Sequence, residues 1–334
     1  MDLSTTYMGI ELPNPLVGGP SPISDHVDAS RRLEDAGASA LVMHSLFMEQ
    51  ILREQQALAD LDAHSHSNAE ASSYLAEPTD FALGPEEYLE QVTRLKSALS
   101  IPVIGSLNGT HSGRWTRYAR LIEEAGADGL ELNVYYVPLS GDEGPMEVEQ
   151  RYLDILESVK AQVTIPVAMK LPHFFSAPVH MMKRLDAAGA DALVLFNPLY
   201  QPELDIEQLE VRPERPLSDP GSMKQRVLWL AAAFEKVSCS LAITGGVHTP
   251  TDLIKSMMAG ADIAQMTSAL LIHGPDYAIK MLTGVREWMA EFEYESIRQM
   301  RGSMSLARTP DPEAYERANY LKSLNTWHPG SALR

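Results

Sequence analysis

Tyr118-Ala119-Arg120-Leu121-Ile122-Glu123-Glu124-Ala125-Gly126-Ala127-Asp128-Gly129-Leu130-Glu131-Leu132-Asn133-Val134 is the stretch that decides the fold. Its first half has helical spacing, its second half is a short apolar run, and Ala-Gly-Ala joins them. A glycine here ends the helix in a left-handed conformation, and its small neighbours let the helix end pack against the following strand. The same junction recurs at Ala36-Gly37-Ala38 before 40–45, Ala188-Gly189-Ala190 before 192–197, and Ala259-Gly260-Ala261 before 263–268. A second series begins with proline: Ile101-Pro102-Val103-Ile104 and Ile165-Pro166-Val167-Ala168-Met169-Lys170. Leu241-Ala242-Ile243-Thr244 takes the same part without the proline.

With Pro15–Gly19 these runs make eight strands, near 15–19, 40–45, 102–108, 129–135, 166–171, 192–197, 241–246 and 263–269. Helical patterns lie between them, among them Tyr88–Leu99, Arg114–Ala125, Val148–Gln162 and Pro178–Ala188. Near-continuous apolar strands alternating with amphipathic helices predict a parallel sheet covered on its outer face. Eight such units in 334 residues predict an α/β fold, a (β/α)8 or TIM barrel. An open doubly wound sheet is the rival, but no GxGxxG follows the first strand. Long connections follow the second strand (47–87), the fourth (136–147) and the sixth (198–222), on the C-terminal face where barrels carry their sites. Leu3–Tyr7 and Ile10–Leu12 around Met8-Gly9 predict a hairpin closing the other end. The barrel is assigned to 1–306, and 307–334 to a C-terminal helix (Pro312–Leu324) and tail.

Composition narrows the function. Forty-five acidic against 27 basic residues give a net charge of −18, which argues against nucleic acid or an anionic membrane as partner. The single cysteine, Cys239, excludes a disulfide framework or a multi-cysteine metal site built from this chain. No basic-then-apolar leader opens the sequence, and no apolar run approaches the about 20 residues of a membrane helix. A cytoplasmic protein is expected.

Chemistry gathers at the strand ends. Thr244-Gly245-Gly246-Val247 and Gln265-Met266-Thr267-Ser268-Ala269 close the last two strands. Bare glycine amides, two hydroxyls and a following helix N-terminus make a phosphate cradle; the plainer reading is glycines that relieve packing. Lys170 ends the fifth strand facing inward, where it could offset charge on a reduced flavin or form a Schiff base. The plainer reading is an ion pair with Glu131. Asn133 and Asn197 at the same rim could fix a planar polar ligand.

Taken in order, these segments resemble one family. Asn14-Pro15, Ser106-Leu107-Asn108-Gly109, Glu131-Leu132-Asn133, Lys170-Leu171-Pro172, Asn197, Thr244-Gly245-Gly246 and Gln265–Leu270 look like the class 1 dihydroorotate dehydrogenases. Tyr294-Glu295-Ser296-Ile297 and Arg301-Gly302 resemble that family's closing helix, so the likeness runs over about 3–306. It implies an FMN-binding barrel that oxidises a dihydropyrimidine in pyrimidine biosynthesis, in a cytoplasmic homodimer. By the resemblance Lys170 and Asn133 face the flavin ring, and Gly245, Gly246, Thr267, Ser268 and Gly221 hold its phosphate. Gly19, His44, Ser45, Asn108 and Asn197 complete the cofactor contacts. Asn133 and Asn197 are the substrate amides that carry over.

The departures bear on the substrate. The family's lysine at the end of the second strand is His44 here, and its run after the fourth strand reads Asn133-Val134-Tyr135-Tyr136-Val137-Pro138. Tyr136 therefore stands where the family has its cysteine base. The family's substrate loop after the second strand has no counterpart in 74–85. A phenol with a pKa of about 10 is a poor base but a serviceable proton donor at neutral pH. Tyr136 is thus the candidate proton donor, with Ser140 a weaker one; packing of Tyr135 and Tyr136 over the loop is the plainer reading. His44 is taken as a cofactor contact. His64 and His66 with Asp60 and Asp62 have only paired spacing, so no metal is assigned. The function expected is hydride transfer between dihydroorotate, or a related small unsaturated substrate, and flavin, with the electron acceptor unidentified. The alternatives are a flavin reductase with a non-orotate substrate, a flavin-binding protein without turnover, and an aldolase-like barrel using Lys170.

Overall fold

The computed structural model describes residues 1–52, 84–110, 115–198, 201–212 and 216–315, with 320, 321 and 324. A hairpin, β1 (Thr5–Tyr7) and β2 (Ile10–Leu12), precedes the barrel. The barrel strands are β3 (Leu16–Gly18), β4 (Ala40–Val42) with its short continuation β5 (Leu46–Phe47), β6 (Val103–Gly109), β7 (Gly129–Val134) and β8 (Val167–Leu171). They continue as β9 (Ala192–Leu195) and, after an outlying hairpin of β10 (Glu203–Asp205) and β11 (Glu210–Arg212), as β12 (Ser240–Thr244) and β13 (Ile263–Met266). Every neighbouring pair in the barrel is parallel, and β13 pairs with β3, so the sheet closes on itself with eight strands. The helices are α1 (Val27–Asp35), α2 (Pro85–Ala98), α3 (Trp115–Glu124), α4 (Pro145–Lys160), α5 (Pro178–Ala187), α6 (Met223–Ala233), α7 (Pro250–Ala259), α8 (Ser268–His273), α9 (Tyr277–Glu291) and α10 (Ile297–Met300).

Local chemistry sets these elements. Proline opens α2, α4, α5 and α7 at the first position, where its missing N–H has no partner to lose. The four Ala-Gly-Ala junctions end helices as the spacing predicts. Gly37, Gly126, Gly189 and Gly260 all have φ between +92° and +121°. In each, the alanine N–H after the glycine reaches back five residues, to Leu33, Ile122, Leu185 and Ser256. The next residue fastens the junction to the neighbouring strand. Asp128, Asp191 and Asp262 each give their own N–H to a carbonyl of that strand and take an N–H from it at 2.7–2.8 Å. Ser39 uses its N–H and its hydroxyl on Leu16 O instead.

Along the strands, alternate residues point into the barrel. The lower inward residues, among them Val17, Ala40, Val42, Ile104, Ala168, Ala242 and Ile263, form a closed apolar cluster with Tyr7, Met8 and Leu12 of the hairpin. Two residues further along, the inward positions turn polar: Ser106, Glu131, Lys170, Thr244 and Gln265, all buried. The barrel is thus plugged below and polar above.

Three details differ from the sequence reading. The second strand breaks at residues 43–45, because the His44 N–H goes to the Ser24 hydroxyl at 3.0 Å instead of to a neighbouring strand. The eighth ends at Met266, and Ser268 already begins α8. The connection after the sixth contains the β10–β11 hairpin, whose three-residue strands are too short to stand out among five prolines. The expected C-terminal helix is only partly described: Pro312–Tyr315 form a 3-10 turn, Tyr320, Leu321 and Leu324 are helical, and the rest of 316–334 lies outside the described residues.

Candidate functional site

Lys170 is buried at the end of β8, and its Nζ lies 3.1 Å from Glu131 Oε1. The other oxygen, Oε2, accepts from Gln265 Nε2 at 2.6 Å. Both carboxylate oxygens are therefore satisfied, which a charge at zero exposure requires. The ion pair read as the plainer alternative is present, and it fixes the ammonium at the upper rim of the barrel. Beneath, burial first, and then the charges of Glu131 and Asp262, hold the Tyr7 phenol well above its usual range.

The sheet register lines up the amides. Asn108 pairs with Asn133, and Asn133 with Lys170, so one row crosses β6, β7 and β8. Asn197 Nδ2 donates to Asn133 Oδ1 at 2.8 Å, and all three asparagines are buried. On the other side of β6, the Ser45 and Ser106 hydroxyls meet at 2.8 Å. Tyr88 holds Ser106 from outside by accepting its N–H at 2.8 Å. At the end of β3, a Cβ on Gly19 would stand 2.4 Å from Thr267 Oγ1, so nothing larger fits there.

β12 ends as bare backbone. Gly245 and Gly246 have φ of +84° and +85°, a region that favours glycine. A Cβ on Gly246 would lie 2.6 Å from the backbone nitrogen of Met223, the first residue of α6. The Gly246 N–H donates to Ser218 Oγ at 3.1 Å, and Ser218 Oγ is 3.0 Å from Ser268 Oγ and 3.3 Å from His248 Nε2. Ser218 Oγ thus accepts the Gly246 N–H and itself donates to Ser268 Oγ. Gly221 lies in the exposed 3-10 turn Pro220–Ser222 that leads into α6, and Thr267 precedes α8.

His44 and Tyr136 each have a carboxylate partner that the sequence reading did not single out. His44 Nδ1 is 2.5 Å from Asp25 Oδ1, and its ring meets Tyr88 edge-on at 5.3 Å. The Tyr136 hydroxyl donates to Glu143, Arg151 pairs with the same carboxylate, and the Arg151 guanidinium stands 4.0 Å over the Tyr136 ring. Hydrogen bonding to Glu143 raises the Tyr136 pKa, because it favours the neutral phenol. Ser140 lies on the same loop, where its hydroxyl takes the Asp142 N–H.

Sequence reasoning missed Asp25, Ser218, Arg226, Glu143 and Arg151. Each reaches the site from a loop or helix, where no periodicity marks it. Asp60, Asp62, His64 and His66 lie outside the described residues. Among the described residues, no cluster of three His, Cys, Asp or Glu side chains could hold a metal ion, and no helix is long and apolar enough to cross a membrane.

A family model described as dihydroorotate dehydrogenase matches residues 82–289. The catalytic subunit of dihydroorotate dehydrogenase B (NAD(+)) from Thermoplasma volcanium is 27% identical over 309 residues, covering 90% of this chain and 98% of the relative. The corresponding subunit from Methanothermobacter thermautotrophicus is 24% identical over 308 residues, covering 90% and 97%. The NAD-dependent dihydropyrimidine dehydrogenase subunit PreA of Escherichia coli K12 is 24% identical over 320 residues, covering 90% and 76%.

Proposed function

Since the chain belongs to the dihydroorotate dehydrogenase family, we propose that it is an FMN-dependent oxidoreductase acting on a CH–CH bond of a small planar ring. One observation carries the reading: a buried lysine–amide row and a bare-amide cradle lie at the same, C-terminal, ends of the strands of one barrel. The cradle suits a phosphate ester because the φ values of +84° and +85° at Gly245 and Gly246 bare their amides at the strand end, where the Gly246 N–H already meets an oxygen. When bound, FMN supplies two-electron chemistry as hydride transfer.

The chain's own residues supply the rest. Lys170, held by Glu131, offers fixed positive charge beside the flavin ring. Gly19, His44, Ser45 and Asn108 line the ring, while Gly221, Gly245, Gly246, Thr267 and Ser268 hold the phosphate. Asn133 and Asn197 orient the substrate by paired donors and acceptors. In the reducing direction Tyr136 gives the substrate its proton from the hydroxyl, and in the oxidising direction it takes the substrate proton while passing its own to Glu143. The substrate is dihydroorotate or a related dihydropyrimidine, a range supported by the names of both kinds of relative. Both are named as subunits of NAD-linked enzymes, which supports a partner protein as electron acceptor. A cytoplasmic homodimer completes the reading.

An anaerobic visible spectrum tests it. A flavin band that bleaches with dihydroorotate or dihydrouracil is the expected result. A band that bleaches with neither moves the substrate outside dihydropyrimidines, and failure of added FMN to bind removes the cofactor.

A further inference from the structure

Arg226 sits on the first turn of α6 with 8% of its surface exposed. Three of its N–H groups go to backbone carbonyls: Nε to Thr244 at 2.5 Å, Nη1 to Ser222 at 2.5 Å and Nη2 to Phe196 at 3.1 Å. Among the described residues no carboxylate pairs with it, and burial alone depresses its pKa. A buried cation that meets only carbonyls is costly, and its position suggests what offsets the cost. The guanidinium lies directly against Gly245: a Cβ there would stand 3.1 Å from Nη2 and 3.3 Å from Cζ.

Peptide geometry links this clamp to the cradle. In a trans peptide the C=O and the N–H point opposite ways. Drawing the Thr244 carbonyl to Arg226 therefore turns the Gly245 N–H away from the guanidinium. The Ser222 carbonyl is drawn there too, while the Met223 N–H that shares its peptide stays with the carbonyls of Pro220 and Gly221. Met223 N is the atom that a Gly246 Cβ would strike, and the Gly246 N–H is already given to Ser218. Asp219, the acid nearest in sequence, is taken up with the N–H and hydroxyl of Ser222.

We propose that Arg226 is the positioning cation of the phosphate cradle. It holds the carbonyls of Thr244 and Ser222 from behind, presents the amides of Gly245 and Gly246 to a phosphate ester, and makes the site prefer the dianion. Ser218 Oγ stands where a phosphate oxygen is to be received. The assignment rests on the flavin mononucleotide reading for its ligand, but its chemistry needs only the phosphate.

The test compares FMN with riboflavin, which lacks the phosphate, by fluorescence quenching on the wild type, Arg226→Gln and Arg226→Lys, with the thermal midpoint of each protein alongside. Arg226→Gln should weaken FMN about 10- to 100-fold, as loss of charge-assisted donors implies, while riboflavin changes by less than about 2-fold. Arg226→Lys, which keeps the charge but not the three-way clamp, should fall between. Equal losses for both flavins would make Arg226 a structural clamp only, and no change in either would remove it from the site; both outcomes overturn the proposal. If the glutamine variant does not fold, the FMN-to-riboflavin ratio of the lysine variant decides. A wild type that binds neither flavin ends the flavin reading instead. Inorganic phosphate then decides for Arg226: protection of the wild type and not of Arg226→Lys upholds the cradle, and protection of both or of neither overturns it.

Discussion

At the scale of single residues, the two readings open for Lys170 turn out to be compatible. It is paired with Glu131, and the pair stands on the rim where a ligand's charge would be met. Removing one partner of a buried pair leaves the other charge without compensation. Lys170→Met should therefore cost about 3–5 kcal/mol of stability in urea titration, and adding Glu131→Gln should recover much of it. A double variant no more stable than the single one would contradict this. Tyr136 makes a different kind of prediction. Glu143 raises its pKa by favouring the neutral phenol, so in the direction of substrate reduction proton donation should hold through neutral pH and fail only on the alkaline side. Glu143→Gln removes that cause, and the alkaline limb of the pH–rate profile should move to lower pH. A limb that stays in place would take the Tyr136 phenol out of the rate. Lys170 was legible as a buried inward-facing cation because it ends a strand, whereas Tyr136 was singled out only by the family resemblance. Position along the chain hid Asp25 and Arg226, whose contacts with residues 19 and 18 positions away exist only once strands and helices have closed into a ring.

At the scale of elements, the Ala-Gly-Ala junctions were legible because helix termination there depends on a residue type and not on packing. The aspartates after them were not singled out, because their role is to fasten one strand to the next. Asp262 is the case that can be read in solution. Burial raises its pKa to about 6, against the pull of Arg301 and the Leu241 N–H. The folded state thus binds a proton more tightly than the unfolded chain, whose carboxyl titrates near about 4. Stability from this group is fully present below pH about 4 and is lost as pH rises through about 6. Denaturation midpoints measured across that window should carry a falling contribution that Asp262→Asn removes. If the variant and the parent show the same slope, the group is ionised throughout. The broken second strand and the β10–β11 hairpin were not legible for a related reason. In the first a side-chain oxygen outbids the ladder for an N–H, and in the second the strands bury little and so leave no apolar pattern.

At the scale of the molecule, barrel closure gathers the strand ends, so the alternation that makes the lower half apolar makes the upper half a site. That much followed from eight strands read in order; the fine shape of the cradle did not, because it depends on a helix-borne arginine. The same scale sets a conflict of fields. The chain carries a net charge of −18, yet the proposed cradle would offer backbone amides, backed by a buried guanidinium, to a dianionic phosphate ester. At long range the net charge dominates and repels FMN. At contact the buried donors dominate, and salt screens them little because they are out of solvent. The field of exposed charges decays over about 8 Å at physiological ionic strength, so added salt acts on the approach far more than on the bound state. Stopped-flow association of FMN should therefore speed up several-fold, in rough terms, between about 0.01 and 0.2 M salt. The dissociation rate should change little, and riboflavin, which is neutral, should associate at a rate nearly independent of salt. FMN association that slows with added salt would mean the positive field of the cradle reaches beyond the acidic surface and steers the ligand from outside. Arg226→Gln would then abolish that steering and leave only the repulsion.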